Sequence, residues 1–512
     1  MALFGNKDQD SASGFKSRAV DKDLKRIVQL EKATQEVGSN IYNLGFGLIF
    51  LIGVWIFTYI YSGGEASAIL VAAAVIGGYM AMNIGANDVA NNVGPAVGSK
   101  ALTLMGALVI AAIFEAAGAL LAGGEVVSTI SKGIISTDSI TDVDVFVWAM
   151  MSALLAAALW VNLATYIGAP VSTTHSIVGG VMGAGIAAAG FSAVNWPVMS
   201  AIAASWVISP LLGGVIAALF LTFIKFAILF KDDKLAAARR WVPVLVAILA
   251  GTFSAYLMLK GLKRIWKPDS AMVVLIAGGI FFVSYVWTRR RVARASQHME
   301  NKRKSVATLF TVPLICSAAM LSFAHGSNDV ANAVGPLAAI VNALGSGEIA
   351  TKVSLPIWVL IIGAVGISVG LALFGPKIIK LVGEKITKLN QVRAFCVALS
   401  AAITVIIASG MGLPVSSTHI AIGAVFGVGF LREAITNRTS SSTKTPVPMS
   451  AEGLSEVDEG KLFKKWKKQR KRKLVRRQHA FSIAAAWIIT VPASALLSGA
   501  LFFLLNYFNA PS

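Results

Sequence analysis

The chain has 512 residues, of which 56% are hydrophobic and only 14% charged, and a net charge of +20. Its mean hydropathy is +0.72. Soluble chains run near a quarter charged, so a water-soluble monomer, a nucleic-acid-binding module and a disordered chain are all disfavoured together. The apolar residues fall in blocks of about 20, the length that crosses a bilayer as a helix. The expected class is therefore all-α, a polytopic membrane protein with about 11–12 transmembrane helices.

In chain order, residues 1–40 carry thirteen charges of mixed sign and read as a cytoplasmic N-terminal leader rather than a cleavable signal. Spans are expected at 41–61, 66–86, 103–122, 145–166, 200–229, 241–261, 270–288, 306–325, 354–374, 393–411 and 480–507. Shorter pieces at 88–98, 170–190, 329–345 and 414–431 are rich in Gly and Pro and read as broken or re-entrant helices. Such backbone survives at membrane depth only where protein or a wet cavity covers it.

Arg289 to Lys304 holds seven Lys/Arg against one acid, and Lys461 to Arg477 holds eleven and none. Lying between apolar blocks, these runs read as cytoplasmic loops that orient the chain and draw anionic head groups. Thr436 to Gly460, rich in Ser, Thr, Pro and acids, reads as a flexible linker, and the sequon at Asn437 as chance. Cys316 and Cys396 sit in apolar stretches as small buried hydrophobes.

The organisation predicted is a first repeat with its preceding helix over 41–230 and connecting helices with a basic loop over 231–305. The second repeat's first part follows over 306–431, then a disordered, basic loop over 432–479 and a last helix in 480–512.

The repeat rests on two motifs. Asn87-Asp88-Val89-Ala90-Asn91-Asn92-Val93-Gly94-Pro95 returns from Asn328 to Pro336 with eight of nine positions matched. Pro170-Val171-Ser172-Thr173-Thr174-His175 returns as Pro414-Val415-Ser416-Ser417-Thr418-His419, in the same order. A looser echo pairs Trp206 to Pro210 with Trp487 to Pro492. Paired halves are typical of secondary transporters, whose site forms where the repeats meet.

A carboxylate at the bilayer centre costs roughly 2.5–3.5 kcal/mol on insertion scales. Two such acids at matching places, Asp88 and Asp329, suggest a compensating cation. On a helix Asn87, Asp88 and Asn91 share one side, and Asn328, Asp329 and Asn332 form the twin stripe. Their oxygens are hard ligands for a small hard cation. Gly85, Gly326, Gly94-Pro95 and Gly335-Pro336 are expected to mark helix breaks.

Proline followed by Ser/Thr signals a helix start near Ser172 and another near Ser416. Free amides and positive dipole ends there would receive a tetrahedral oxyanion such as phosphate or sulfate. The hydroxyls of Ser172, Thr173, Thr174, Ser416, Ser417 and Thr418 would add neutral donors. No cation lies inside either motif, Lys100 being the nearest. His175, His325 and His419 stand beside the motifs as proton sites or anion donors, with His175 and His419 read as supporting hydrogen bonders. Glu115, the lone acid of its span, reads either as a coupling or gating residue or as an acid pointing into a wet cavity, and Glu125 as reaching water.

These motifs resemble the inorganic phosphate transporter (PiT) family, which includes the sodium-dependent phosphate symporters of animals. The resemblance rests on Gly85 to Asn91, His325 to Asn332 and Phe114-Glu115, and covers roughly residues 66–230 and 306–507. It implies an inverted-repeat fold with helical hairpins carrying the Pro-Val-Ser tips, and phosphate held with sodium near the midplane. Carried over by motif, Asp88, Asn91, Asp329 and Asn332 would serve sodium. The six hydroxyl residues, with Asn87 and Asn328 beside them, would serve phosphate. A further glutamate that animal members carry before the first hairpin is absent from the Ala-rich stretch Met150 to Trp160, which leaves coupling stoichiometry open.

The leading expectation is secondary import of phosphate coupled to sodium or protons, with no cofactor beyond sodium as co-transported ion. Expected partners are phosphate, the ion and the lipid bilayer of the cell (inner) membrane, with a homodimer as one arrangement and no nucleic acid. The alternatives are a sulfate permease of the same build, a passive anion channel, and an intramembrane hydrolase pairing Ser172 with His175.

Overall fold

The structure is a computed structural model and describes residues 41–136, 139–167, 171–262, 266–349, 355–385, 389–442 and 477–509. The leader at 1–40, Pro170 and the basic run up to residue 476 lie outside these residues.

Among the described residues the chain is almost wholly helical. It has 11 helices long and apolar enough to cross a membrane, or up to 12 if a bent pair counts as one. The helices are α1 (Ile41–Tyr61), α2 (Ala68–Asn87), α3 (Val89–Gly98), α4 (Leu104–Ala122), α5 (Gly124–Ser128), α6 (Val143–Ile167), α7 (Thr173–Ala189) and α8 (Trp196–Ile224). There follow α9 (Lys234–Tyr256), α10 (Ser270–Ala295), α11 (Arg303–Leu309), α12 (Thr311–Ser346), α13 (Ile357–Lys385), α14 (Gln391–Gly410), α15 (Ser417–Ser442) and α16 (Arg477–Asn509).

Polarity runs inside out relative to a soluble protein. Large apolar side chains such as Leu211, Leu275, Ile488 and Leu496 face outward, while Asp88, Glu115, His325, Asp329 and Asn332 are buried. Lipid is as apolar as leucine, so the helices are held by close packing and internal hydrogen bonds instead.

Glycine makes that packing close. A Cβ at Gly85 would stand 1.9 Å from the Ile367 carbonyl oxygen, and one at Gly370 1.8 Å from that of Met82. The same lock recurs in the other half, where Gly326 meets the Glu115 oxygen at 2.1 Å and Gly118 that of Phe323 at 2.1 Å. The repeats therefore exchange partners: α2 packs on α13 while α4 packs on α12. The hairpin helices exchange too, α7 lying against α16 and α15 against α8. Between the repeats α9 pairs with α10, and α9 also touches α12.

Two expectations need correction. The second Asn-Asp motif does not sit in a short re-entrant piece, because α12 runs unbroken through Gly326, Gly335 and Pro336. In the first motif the helix is interrupted at Asp88, between α2 and α3, and Ala68–Gly98 passes as one span. The glycines are contact points rather than breaks, and proline is tolerated because neighbouring helices cover the freed carbonyl. Also, α15 continues through Ser442, into the segment read as linker. Leu431-Arg432-Glu433-Ala434 are good helix formers.

Candidate functional site

The hairpin tips are built by capping. Ser172 is the N-cap of α7, its side chain accepting from the His175 amide at 3.1 Å. Ser416 does the same at the start of α15, accepting from the His419 amide at 3.3 Å. Both helices thus begin where the Pro-Val-Ser spacing predicts. A helix start leaves its first amides without intrahelical acceptors, here those of Thr173, Thr174, Ser417 and Thr418.

These two tips converge on the first aspartate. Asp88 accepts from Thr173 of one tip at 2.7 Å and from Thr418 of the other at 3.2 Å. Asn91 donates to the Thr418 hydroxyl at 2.8 Å. Asn332 reaches back from the other motif to the hydroxyls of Thr173 at 3.2 Å and Thr174 at 3.1 Å. Thr174 donates to the Val415 carbonyl at 3.1 Å. The tips are thereby tied to each other and to both Asn-Asp motifs.

One oxygen of Asp88, one of Asp329 and a ring nitrogen of His325 lie within 4.8 Å of one another, all buried. Apart from His325, neither oxygen of Asp329 has a hydrogen-bond donor among the described residues, nor has the side-chain oxygen of Asn332. The close neighbour of Asp329 is His325 Nε2, one turn back at 2.9 Å. Buried acceptors left in this way are what a hard cation would satisfy.

Not every predicted residue faces this centre. Asn328 donates to Ser409 at 2.8 Å and to the Leu413 carbonyl at 3.2 Å, and accepts from the Val415 amide at 3.2 Å. It therefore anchors the turn before the second tip. Asn87 donates to Thr165 at 2.9 Å, which anchors α2 to α6. Ser172 and Ser416 spend their oxygens on capping, and the Ser417 hydroxyl has no partner among the described residues. Lys100 is exposed beyond α3.

Glu115 is fully buried and sits at the head of a chain. It accepts from Asn92 at 2.8 Å and lies 2.6 Å from His325 Nδ1, and His325 in turn faces Asp329. The acid thus reaches the centre through histidine. Glu125 pairs with Lys260 at 3.1 Å where both are part-exposed, as expected of an acid near water. His175 packs on Trp206 with ring centres 3.8 Å apart and meets His419 edge-on at 4.4 Å.

Thr165, Ser409 and Asn92 escaped the sequence reading. Asn92 had a signal: it is the one position of nine where the motif copies differ, Ala333 standing opposite.

The chain matches the phosphate transporter family over residues 84–498. It belongs to that family. A protein of Helicobacter pylori named as a phosphate permease is 46% identical, covering 95% of this chain and 99% of its own. One of Thermococcus kodakarensis, similarly named, is 35% identical over 84% of this chain and 95% of its own. A solved structure described as the sodium-dependent phosphate transporter superposes with a TM-score of 0.73 at 34% identity, covering 86% of this chain and all of its own. The resemblance read from the motifs holds, and the family is one of transporters, which answers the hydrolase alternative.

Proposed function

We propose that this chain carries inorganic phosphate across the membrane in symport with a cation, sodium before protons. The observation that supports this most is the convergence of two helix N-termini and two buried aspartates in one place. Asp329, Asn332 and Asp88 would hold sodium, their oxygens being the hard ligands that remain. The amides of Thr173, Thr174, Ser417 and Thr418 would receive phosphate. The threonine hydroxyls that bridge the tips to Asp88 couple the two sites directly. A sodium ion drawing on the carboxylate frees hydroxyl hydrogens for the anion. Phosphate that keeps a proton can also donate to Asn or Asp oxygens, which favours it over fully ionised sulfate.

The exchange of partners between the repeats supports reading them as inverted halves that rock about this site. The relatives' bacterial and archaeal origin supports placement in the cell membrane.

The test is uptake of labelled phosphate by proteoliposomes with sodium and pH gradients imposed separately and sulfate as competitor. Uptake should follow the sodium gradient and resist sulfate. Uptake following only the pH gradient would replace sodium by protons, and flux indifferent to both would make the protein a passive anion pathway.

A further inference from the structure

Where α8 meets α9, the molecule carries an open groove of about 530 Å³ lined by Thr222, Phe223, Phe226, Ala227, Lys231, Arg240 and Trp241. That volume suits a small-molecule ligand. Its chemistry is divided: one part is aromatic and aliphatic, and the rim holds two cations. The Arg240 guanidinium lies 5.7 Å above the Trp241 ring, and Trp241 stands edge-on to Phe223 with centres 5.0 Å apart. A π-helical turn, Lys225–Leu229, prolongs α8 along the cavity. Phe226, at 61% exposure, faces outward toward lipid.

The rim adjoins the basic loop after α10. The α9 start is stapled to the loop after α10, Arg239 donating to Ser296 at 2.6 Å and Asn301 to the Asp232 carbonyl at 2.7 Å. This joins Lys231 and Arg240 to the run Arg289 to Lys304 with its seven cations. Of the two acids in the same turn, Asp233 is engaged in capping α9, accepting from the Ala236 amide at 2.9 Å. By the positive-inside rule this is the cytoplasmic surface, the leaflet where a basic pocket between helices meets anionic head groups.

We propose that this cavity is a binding site for one anionic phospholipid, its phosphate held between Lys231 and Arg240 and an acyl chain lying over Phe223 and Phe226. The apolar part decides for lipid over free phosphate, because a small solvated anion would leave those rings uncovered. The lipid would fill the seam between the repeat core and the α9–α10 hairpin. It would rest on α8, which carries the second tip helix α15 through Gly213 and Gly214.

The test is native mass spectrometry of the full chain purified in detergent and supplied with phosphatidylglycerol or phosphatidylcholine. The wild type is compared with Lys231→Ala/Arg240→Ala and with a control, Arg289→Ala/Arg290→Ala. Two basic side chains near a membrane surface together weight binding about 30-fold. One phosphatidylglycerol should therefore stay on wild type and control and be lost from the cavity variant by about that factor, with phosphatidylcholine weak on all three. An unchanged melting temperature without lipid shows that the variant folds. Equal retention by the cavity variant, or displacement of the lipid by millimolar inorganic phosphate, would overturn the proposal.

Discussion

The two Asn-Asp motifs read almost alike, yet the two halves treat them differently. In the first, the helix breaks at Asp88, whose carboxylate is met by two threonine hydroxyls. In the second, α12 passes straight through Asp329, which is met by His325 and by no threonine hydroxyl among the described residues. Part of the difference lies at the tips, where Ser417 stands opposite Thr173, and part at three positions around the motifs. Asn92, Glu115 and His325 form a buried polar chain. Ala333 and Ile84 stand at the matching motif positions, and Ile367 occupies the place of Glu115 in the glycine lock. A duplicated scaffold thus carries a single polar relay, pointed at one aspartate. Symmetry supplies the paired tips, and its violation distinguishes the two acids.

The largest effect should come from the aspartates. Asp88→Asn and Asp329→Asn should both fold and both lose cation-driven phosphate uptake. Wild-type sodium dependence in either would break the view that they share one site. Next comes the relay. Removing one partner of a buried, bonded pair costs about 3–5 kcal/mol, so Glu115→Gln should lower thermal stability sharply in detergent. Converting the relay to the apolar set of the other half (Asn92→Ala, Glu115→Ile, His325→Ile) should recover much of that stability without restoring uptake. If the triple variant transports normally, the relay is packing alone.

A third pair of variants tests the equality of the glycine locks. Gly85→Ala and Gly326→Ala each drive a methyl into a carbonyl oxygen and should cost about 1–3 kcal/mol apiece. Gly345→Ala, with nothing within 4 Å, should be harmless. Unequal costs for the first two would mean that the halves differ in rigidity as well as polarity. The smallest change is Thr165→Val, which removes one partner of Asn87 and should cost about 0.5–1.5 kcal/mol while leaving the sodium dependence of uptake in place.

Much of this was legible in the residues. Apolar blocks marked the spans, and the doubled motifs marked the site. Ser172 and Ser416 announced the tips, because a capping hydroxyl after proline has few other uses. The continuity of α12 was not legible. Glycine and proline are punctuation in water, but in a membrane bundle Gly326 is a place for Glu115's backbone to rest. The different duties of Asn87 and Asn328 were hidden as well, since an amide in a motif does not reveal whether it meets a substrate or a neighbouring helix. The mismatch at Asn92 was visible, but its meaning needed Glu115 and His325 brought across more than two hundred positions.

The seating of α7 on α16 has a consequence for biogenesis. Gly179 and Gly183 face the backbone of Val491 and Ala495, and Ser494 donates to the Ser176 carbonyl at 2.6 Å. The cradle for the first tip is thus shared between α6 and α16, the latter some three hundred residues further along the chain. Until α16 inserts, that hairpin has only the α6 side of its groove, and a chain cut before Arg477 should not assemble a working permeation route. A distant helix therefore finishes the seat of a tip that the first half begins.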